Sequence, residues 1–430
     1  MGRNTRDSSG GAGRVRELNR LRIVDVLRER GLASRAELGR ITGLSRTTIS
    51  SIVSDLQTSG LVVERTDPAH ATPRSGSGRP PVLLALNPAA GAAAGVAFDH
   101  RHLRVAVADL SATVLAEREM ELDVDHDSTT ALDAAAGLLA EVVAEARLQP
   151  EQLIGAGMGL PGPIDNETGT VGSTAILPGW AGLRPGAELS ARLGLPVVAD
   201  NDANLGALAE LLFGAARGAS DAVYIKVSSG IGAGLVLGNR VYRGAAGNAG
   251  ELGHVQDRQE GAVCRCGNRG CLETVASTPV LCKLLAGVHG PDLTIDGVLE
   301  LVRRGDVAAT RVIDEAGRAI GRVLADLCNV LNLGAVVVGG EIVGAGEPFL
   351  SAIRQTIDRR ALPAAAAAVD VRPAALGDRA EILGALALVI RDTQRIQTAR
   401  PTPANEQIRD SHTAHLTHVA APVPSITASS

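Results

Sequence analysis

The sequence predicts an α/β body of two lobes, preceded by a small α+β domain of the winged helix-turn-helix type. At 430 residues, the chain is too long for one hydrophobic core. Three helical patterns and two strand patterns occupy residues 14–87, and alternating strand and helix patterns occupy residues 91–392. The segments 1–13 and 393–430 are polar and rich in Gly, Ser, Thr or Pro, and we expect both to be disordered.

Three helices are predicted in order within residues 14–87. The first has apolar residues at helical spacing and ends at Gly31. The second begins with Ser34 and Glu37, the pattern of a capping box, and runs to Gly43. The third carries one apolar stripe and stops at Gly60. The stripes consist of Leu18, Leu21, Val24 and Leu27 in the first helix, and of Ile49, Ile52, Val53 and Leu56 in the third.

Two short strand patterns, at residues 61–68 and 79–88, flank a tip rich in Pro, Ser and Gly and complete a winged helix. Residues 1–87 contain 14 Arg and no Lys against 8 acidic residues, a net charge of +6. Since the whole chain carries −5, the remaining residues carry −11. A basic segment on an acidic body indicates that only the first part binds a polyanion.

The third helix has short hydroxyl side chains and an Arg on its exposed face, which is typical of a recognition helix in the major groove. A plain three-helix packing domain with solvated Arg is the alternative, but the charge asymmetry and the wing favour DNA binding. The wing tip can reach the DNA backbone or minor groove. The expected DNA contacts are Ser45, Arg46, Thr47, Ser50, Ser51, Arg74 and Arg79.

The body is predicted from strands that alternate with helices and from buried apolar runs. The predicted elements are a three-stranded meander over 91–122, a helix over 129–148, strands over 153–165 and 195–204, a hairpin over 221–244, and a long helix followed by a buried strand over 311–344.

The segment "HVQDRQEGAVCRCGNRGCLE" places His254 near three thiols, Cys264, Cys266 and Cys271. One His and three Cys form a complete tetrahedral ligand set for structural zinc, with no position left for water. An opportunistic disulfide and unrelated buried thiols are the alternatives, and the four-ligand spacing favours zinc.

The other two cysteines, Cys282 and Cys328, lie on apolar helical faces and are expected to be core thiols. The N-terminus lacks the apolar segment of a secretory signal, and no apolar run of about 18 residues predicts a membrane span. We therefore expect a cytoplasmic protein without a membrane partner. Disulfides seldom persist in the cytoplasm, which supports the zinc interpretation.

Residues 227–254, "VSSGIGAGLVLGNRVYRGAAGNAGELGH", and the Cys-x-Cys-Gly-x-x-Gly-Cys-x-Glu that follows resemble the ROK family (repressor, open reading frame, kinase). "GLPGPID", "LPGW" and "DNDAN" occur in the family's order. The winged helix closed by "GRP" and "LN" is similar to the DNA-binding domain of the repressor branch. The resemblance spans residues 14 to 390 and implies a two-lobed, actin-like ATPase (ribonuclease H-like) sugar-kinase fold that binds a hexose or amino sugar between its lobes.

The resemblance also implies the residues of the site. Asn201 and Asp202 would hydrogen-bond sugar hydroxyls, and in the family's kinases this Asp is the base that deprotonates the attacked hydroxyl. Glu251, His254 and Glu273 would bind the sugar near its anomeric end. His254 would use one ring nitrogen on zinc and the other toward the sugar, so the metal loop would hold one wall of the sugar site.

The two phosphate loops of the family's kinases, Asp-x-Gly-Gly-Thr and Gly-Thr-Gly-x-Gly-Gly, are altered in this chain. Side chains in place of the glycines obstruct the approach of phosphate to the backbone, and the carboxylate of Asp99 would repel phosphate. We therefore expect neither ATP binding nor kinase activity. The replacing residues are Ala97, Asp99, His100 and Arg101 in the first loop, and Ser228-Ser229-Gly230-Ile231-Gly232-Ala233 in the second.

Together these features predict a sugar-responsive transcriptional regulator of carbohydrate metabolism genes, in the simplest case a repressor. It would bind a double-stranded DNA operator as a homodimer or a higher homo-oligomer, and a monosaccharide would be its effector. Two alternatives stay open: a sugar kinase that also regulates, and a regulator controlled by a protein partner instead of a sugar.

Overall fold

The computed structural model describes residues 9–65, 82–87, 90–172 and 176–391. The elements of its N-terminal domain are α1 (Ser9–Arg30), β1 (Ala33–Ser34), α2 (Arg35–Thr42), α3 (Arg46–Thr58), β2 (Val62–Arg65) and β3 (Leu83–Leu86). The three strands form an antiparallel sheet in the order β1-β3-β2, and the helices pack on it. This is the predicted winged helix, with the two-residue strand β1 as an addition that the sequence pattern did not predict.

Helices α2 and α3 begin where short polar side chains satisfy their first backbone N–H groups. Ser34 and Glu37 form the predicted capping box, in which the Ser34 backbone N–H donates to the Glu37 carboxylate at 2.8 Å. Ser45 caps α3 by accepting from the Thr48 N–H at 3.1 Å. Gly43 ends α2 in the left-handed conformation, at φ 71°. The predicted stripe of α3 is buried in full.

One prediction for this part of the chain was wrong, and others fall outside the described residues. Helix α1 begins at Ser9, although the sequence pattern predicted disorder through residue 13, because its many Gly and Ser residues obscure the start of the helix. The wing tip with Arg74 and Arg79 lies outside the described residues, as do residues 1–8, residue 392 and the predicted tail, 393–430.

The first lobe is a five-stranded sheet in the order β6-β5-β4-β7-β8, and it contains the predicted meander. Strands β4, β7 and β8 are parallel, whereas β5 and β6 are antiparallel additions. Its elements are β4 (Ala92–Phe98), β5 (His102–Asp109), β6 (Val114–Glu121), α4 (Ser128–Glu145), β7 (Leu153–Leu160), α5 (Pro185–Leu193), β8 (Val197–Asn201) and α6 (Asp202–Phe213).

The second lobe repeats the topology of the first, with the sheet order β11-β10-β9-β12-β13. Its elements are β9 (Ala222–Val227), β10 (Ile231–Leu237), β11 (Arg240–Tyr242), α7 (Glu273–Ala276), α8 (Thr278–His289), α9 (Ile295–Arg303), α10 (Val307–Leu331), β12 (Ala335–Gly339), α11 (Glu347–Arg360), α12 (Pro363–Ala368), β13 (Asp370–Pro373) and α13 (Ala380–Arg391). In each sheet a three-stranded antiparallel meander precedes two strands that run parallel to its first strand, as in the actin-like fold that the resemblance implied.

Helices α6 and α13 lie side by side between the lobes. Helix α6 packs against β9 and β10 of the second lobe, and α13 returns to the first lobe and packs against β4 and β7. Two glycines allow these close approaches. A Cβ atom on Gly157 would lie 2.0 Å from the carbonyl oxygen of Ala385 in α13, and one on Gly384 would lie 2.1 Å from that of Leu205 in α6.

The N-terminal domain shares a hydrophobic cluster with the first lobe. Ile23 and Leu27 of α1 belong to the same buried cluster as Ile382, Leu386 and Val389 of α13. None of the helices in the described part of the chain is long and apolar enough to span a membrane.

Candidate functional site

A cavity opens between the lobes, beside the first turn of α6. The hairpin turns β4–β5 and β9–β10, which occupy equivalent positions in the two sheets, face each other across it. The five residues that the resemblance implied for the sugar site all line this one cavity. The residues that line it include Asp99, His100, Asn201, Asp202, Lys226, Ser228, Glu251, His254, Arg265 and Glu273.

Asn201 and Asp202 are held in fixed orientations at the start of α6. The Asn201 side-chain oxygen caps the helix by accepting from the Ala203 N–H at 2.9 Å, and its amide nitrogen donates to the Gly162 carbonyl at 3.1 Å. One oxygen of Asp202 accepts from the same Ala203 N–H at 2.8 Å. Its other oxygen lies 3.0 Å from the Lys226 ammonium.

Lys226 is at the centre of a buried ion-pair cluster. Its ammonium pairs with Asp202 and Glu381, and lies 3.9 Å from Asp99. Burial disfavours the charged ammonium, but the three carboxylates outweigh burial and hold the pKa of Lys226 well above its usual value. Burial raises the pKa of Glu381 to about 7, and the neighbouring Asp202 and Asp99 add to this effect while Lys226 opposes it.

Glu273 and Glu251 form the opposite wall of the cavity. Glu273 accepts from the Arg265 guanidinium at 2.8 Å and from the Ile231 N–H at 3.2 Å. Burial, and then the charges of Asp202 and Glu273, raise the pKa of Glu251 to about 7. The wall therefore offers hydrogen-bond acceptors and one carboxyl group that is close to its titration point at neutral pH.

His254, Cys264, Cys266 and Cys271 converge beside this wall and could hold a metal ion, since their ligand atoms all lie within 4.8 Å of one another. The Cys264 sulfur lies 3.5 Å from Nδ1 of His254, and the sulfurs of Cys266 and Cys271 lie 3.7 Å apart. In a tetrahedron with zinc–sulfur bonds of about 2.3 Å and zinc–nitrogen bonds of about 2.0 Å, the sulfur–nitrogen edge is about 3.5 Å and the sulfur–sulfur edge is about 3.8 Å. The donor set therefore fits zinc in both chemistry and spacing.

The four candidate metal ligands and the cavity wall formed by Glu251 and Glu273 meet at His254. Because Nδ1 faces the Cys264 sulfur, Nε2 is directed to the other side, where it lies 3.8 Å from the Glu251 carboxylate. Burial raises the pKa of Cys271 to about 12, and hydrogen bonds with Cys266 and Cys264 add to the shift. A metal ion that binds here would have to displace the thiol proton of Cys271.

A second cavity adjoins the first, beside the altered first phosphate loop. Its charge is predominantly acidic, and the altered first phosphate loop contributes Ala97 and Asp99. His100 of the same loop lines the first cavity and is held by Asp125, whose carboxylate lies 2.7 Å from its Nδ1. The charged residues of the second cavity are Asp99, Arg104, Glu119, Lys226, Glu341, Asp378 and Glu381, together with His102.

The expected DNA-contacting residues of α3, Ser45, Arg46, Thr47, Ser50 and Ser51, are all exposed. One further residue on this face, Arg16, was not identified from the sequence. Arg16 of α1 donates to the Ser51 hydroxyl at 3.1 Å and pairs with Asp55.

The sequence also did not identify several polar residues in and around the two cavities: Lys226, Glu381, Arg265 and the His100–Asp125 pair. Lys226 carried a usable signal, since it is one of two lysines in the chain and interrupts the apolar strand pattern of "AVYIKV". Glu381 carried none, because it lies far from the other residues along the chain.

The repeated lobe topology and the cavity between the lobes define a protein of the actin-like sugar-kinase fold, preceded by a winged helix. The family model described as "ROK family" matches residues 93–392, and the one described as "MarR family" matches residues 17–71. The chain belongs to the ROK family.

Individual relatives include both regulators and kinases. The chain is 30% identical over 391 residues to a xylose repressor of Caldicellulosiruptor bescii, which covers 88% of this chain and 96% of the relative. The chain is also 35% identical over 266 residues to a glucokinase of Halalkalibacterium halodurans, and this match covers 58% of the chain and 80% of the relative. The crystal structure of a ROK family transcriptional regulator, a homolog of E. coli MLC protein, matches with a TM-score of 0.73 and 28% identity, covering 89% of this chain and 98% of that one.

Proposed function

We propose that this protein is a sugar-responsive transcriptional repressor that binds its operator as a homodimer. The observation that carries the proposal is that one chain combines an exposed recognition helix with a polar cavity between two lobes. The similarity to a xylose repressor over both parts of the chain supports this combination. A symmetric dimer would present two α3 helices to the half-sites of a palindromic operator.

The effector that suits the cavity is a neutral monosaccharide. Convergent carboxylates and amides match the many hydroxyl groups of a sugar, and Asp202, Glu251 and Glu273 contribute such groups. Asp99 also lines the cavity, so a phosphorylated sugar would meet mainly like charge. D-xylose is the first candidate, because the name of the C. bescii relative specifies xylose.

A zinc ion held by His254, Cys264, Cys266 and Cys271 would form a rigid tetrahedral junction. With Nδ1 of His254 directed to the metal side, its Nε2 would be presented to the sugar beside Glu251. The metal would act through the orientation of this ring and would take no part in bond making or breaking.

Kinase activity is disfavoured by two features of the site. The oxygen of Asp202 that would accept a proton is already paired with Lys226, and the charge of the adjoining cavity is predominantly acidic. Phosphoryl transfer requires the opposite environment, with cations and backbone N–H groups around the nucleotide. Incubation with ATP, Mg²⁺ and a hexose panel should therefore release no ADP above background.

The proposal is tested by fluorescence anisotropy on DNA from the region upstream of the protein's own gene. The titration is repeated at fixed salt with D-xylose, D-glucose and N-acetylglucosamine. One sugar should change operator affinity by about 5–150-fold, the usual range of coupling between two sites. The variant Asp202→Asn should lose this response. Specific DNA binding that is indifferent to every sugar would contradict the proposal and favour a protein partner.

A further inference from the structure

Lys226 connects the first turns of two helices that belong to different parts of the chain. Asp202 is the first residue of α6, and Glu381 is the second residue of α13. The Lys226 ammonium pairs with both carboxylates, and all three side chains are largely buried. Asp202 lines the candidate sugar cavity, whereas Glu381 lies only in the adjoining one.

Beyond this cluster, α6 and α13 contact each other directly. Gly384 of α13 faces the backbone of Leu205 in α6 so closely that a Cβ atom there would clash with the carbonyl oxygen. Each helix has 12 residues and spans about 18 Å at 1.5 Å per residue. Each helix can therefore act as a rigid rod, and a displacement of its first turn is passed along its length, because the close-packed surroundings leave few alternative arrangements within it.

The far ends of both helices contact the DNA-binding domain. The Arg28 guanidinium of α1 lies 5.0 Å from the ring centroid of Phe213, the last residue of α6. Glu29 of α1 pairs with Arg217, which follows α6. The apolar face of α13 shares a buried cluster with α1, including Leu386. Both helices therefore start at the cavities and end at α1.

We propose that Lys226 is a positioning residue that couples the sugar cavity to the DNA-binding domain through α6 and α13. A sugar hydroxyl that donates to Asp202 would weaken the ion pair between Asp202 and Lys226. The Lys226 ammonium would then interact more strongly with Glu381. The first turns of the two helices would shift against each other, and α1 would follow. This inference rests on the proposed function, since it describes how sugar occupancy would reach the operator-binding surface.

The geometry at Asp202 makes this competition direct. One carboxylate oxygen is occupied by the Ala203 N–H, and the other by Lys226. A hydroxyl that reaches this carboxylate must share an oxygen with one of these two donors. The N–H belongs to the helix backbone, so Lys226 is the partner that can move.

The test separates sugar binding from coupling. Sugar affinity is measured by titration calorimetry, and operator affinity by anisotropy with and without saturating sugar, for D-xylose, D-glucose and N-acetylglucosamine. Glu381→Gln should bind the responsive sugar within about twofold of the wild type and reduce its effect on operator affinity to about twofold or less. Glu341→Gln, in the same adjoining cavity but not paired with Lys226, should keep the wild-type response.

Phe213→Leu tests the coupling at the other end of α6, and it replaces Glu381→Gln as the test if that variant does not fold. It removes the ring under Arg28 and should also reduce the response while leaving sugar affinity unchanged. If both variants keep the wild-type response, the coupling role is wrong and the proposed function stands. Loss of sugar binding in Glu381→Gln would place this residue in the binding site and overturn the positioning role. If no sugar changes operator binding by the wild type, both proposals fail.

Discussion

At the residue scale, the buried Glu381 carboxyl should make stability depend on pH. Its pKa is about 7 in the folded protein against an ordinary value of 4.5, so the folded state binds more protons between these values. The free energy of unfolding should therefore fall as pH rises from about 5 to about 8. Glu381→Gln should flatten this decline, which thermal unfolding at several pH values would measure.

The control for this prediction is Glu341→Gln, which removes a carboxylate from the same cavity without touching the Lys226 cluster. It should keep the wild-type dependence on pH. An identical pH profile for Glu381→Gln and the wild type would show that Glu381 stays ionised throughout.

Arg46 is the residue of α3 whose charge should matter most for DNA binding. It is exposed in the first turn of the recognition helix, next to hydroxyl side chains only. Arg46→Ala should weaken operator binding and, if Arg46 contacts phosphate, reduce the slope of log affinity against log salt by about 1. Arg304→Ala, an exposed Arg after α9 of the second lobe, makes the same charge change far from α3 and should leave operator affinity unchanged.

At the element scale, the metal loop should support the sugar cavity and not the winged helix. Removal of zinc with a chelator, or Cys266→Ser, should lower the melting temperature and weaken sugar binding, since His254 would lose its fixed orientation. Sugar-free operator binding should persist. Cys282→Ser is the matched control, because this cysteine lies outside the cluster. Full sugar affinity in the metal-free protein would refute the role of the loop.

The contact between β7 and α13 depends on a glycine. A Cβ on Gly157 would overlap the backbone of α13, so Gly157→Ala should lower the free energy of unfolding by about 1–3 kcal/mol. A Cβ added to Gly137 in α4 would meet no heavy atom within 4 Å, so Gly137→Ala should raise the free energy of unfolding by about 0.5–1 kcal/mol. Chemical denaturation of the two variants would show opposite shifts, and a shift of the same sign in both would contradict the assigned packing.

At the scale of the whole molecule, local patterns predicted most of the architecture. The capping box at Ser34, the stripe of α3 and the three-stranded meander were all confirmed. The spacing of residues along one helix or strand shows directly which of them lie on the same face. The zinc-loop residues were predictable for the same reason, because all four lie within one short segment.

The parts that escaped prediction depend on contacts between distant segments. The ion pair of Lys226 with Glu381 joins residues of β9 and α13, and no spacing rule relates them. Helix α13 itself was not predicted, although it packs on the first lobe and reaches α1. The convergence of Asn201, Asp202 and Glu251 on one cavity followed from the family resemblance and not from composition or periodicity.

The buried cluster shared by α1 and α13 also determines when the protein can become functional during its synthesis. Helix α1 is translated long before its partners Ile382, Leu386 and Val389, which lie in the last helix of the described fold. At about 5–20 residues per second, they follow α1 by tens of seconds. A nascent chain therefore carries a winged helix whose apolar side has no α13 to cover it. The contacts of the winged helix with α13 form only after the second lobe has been made, so a repressor of the proposed kind would carry its sugar site before it engages DNA with its full structure.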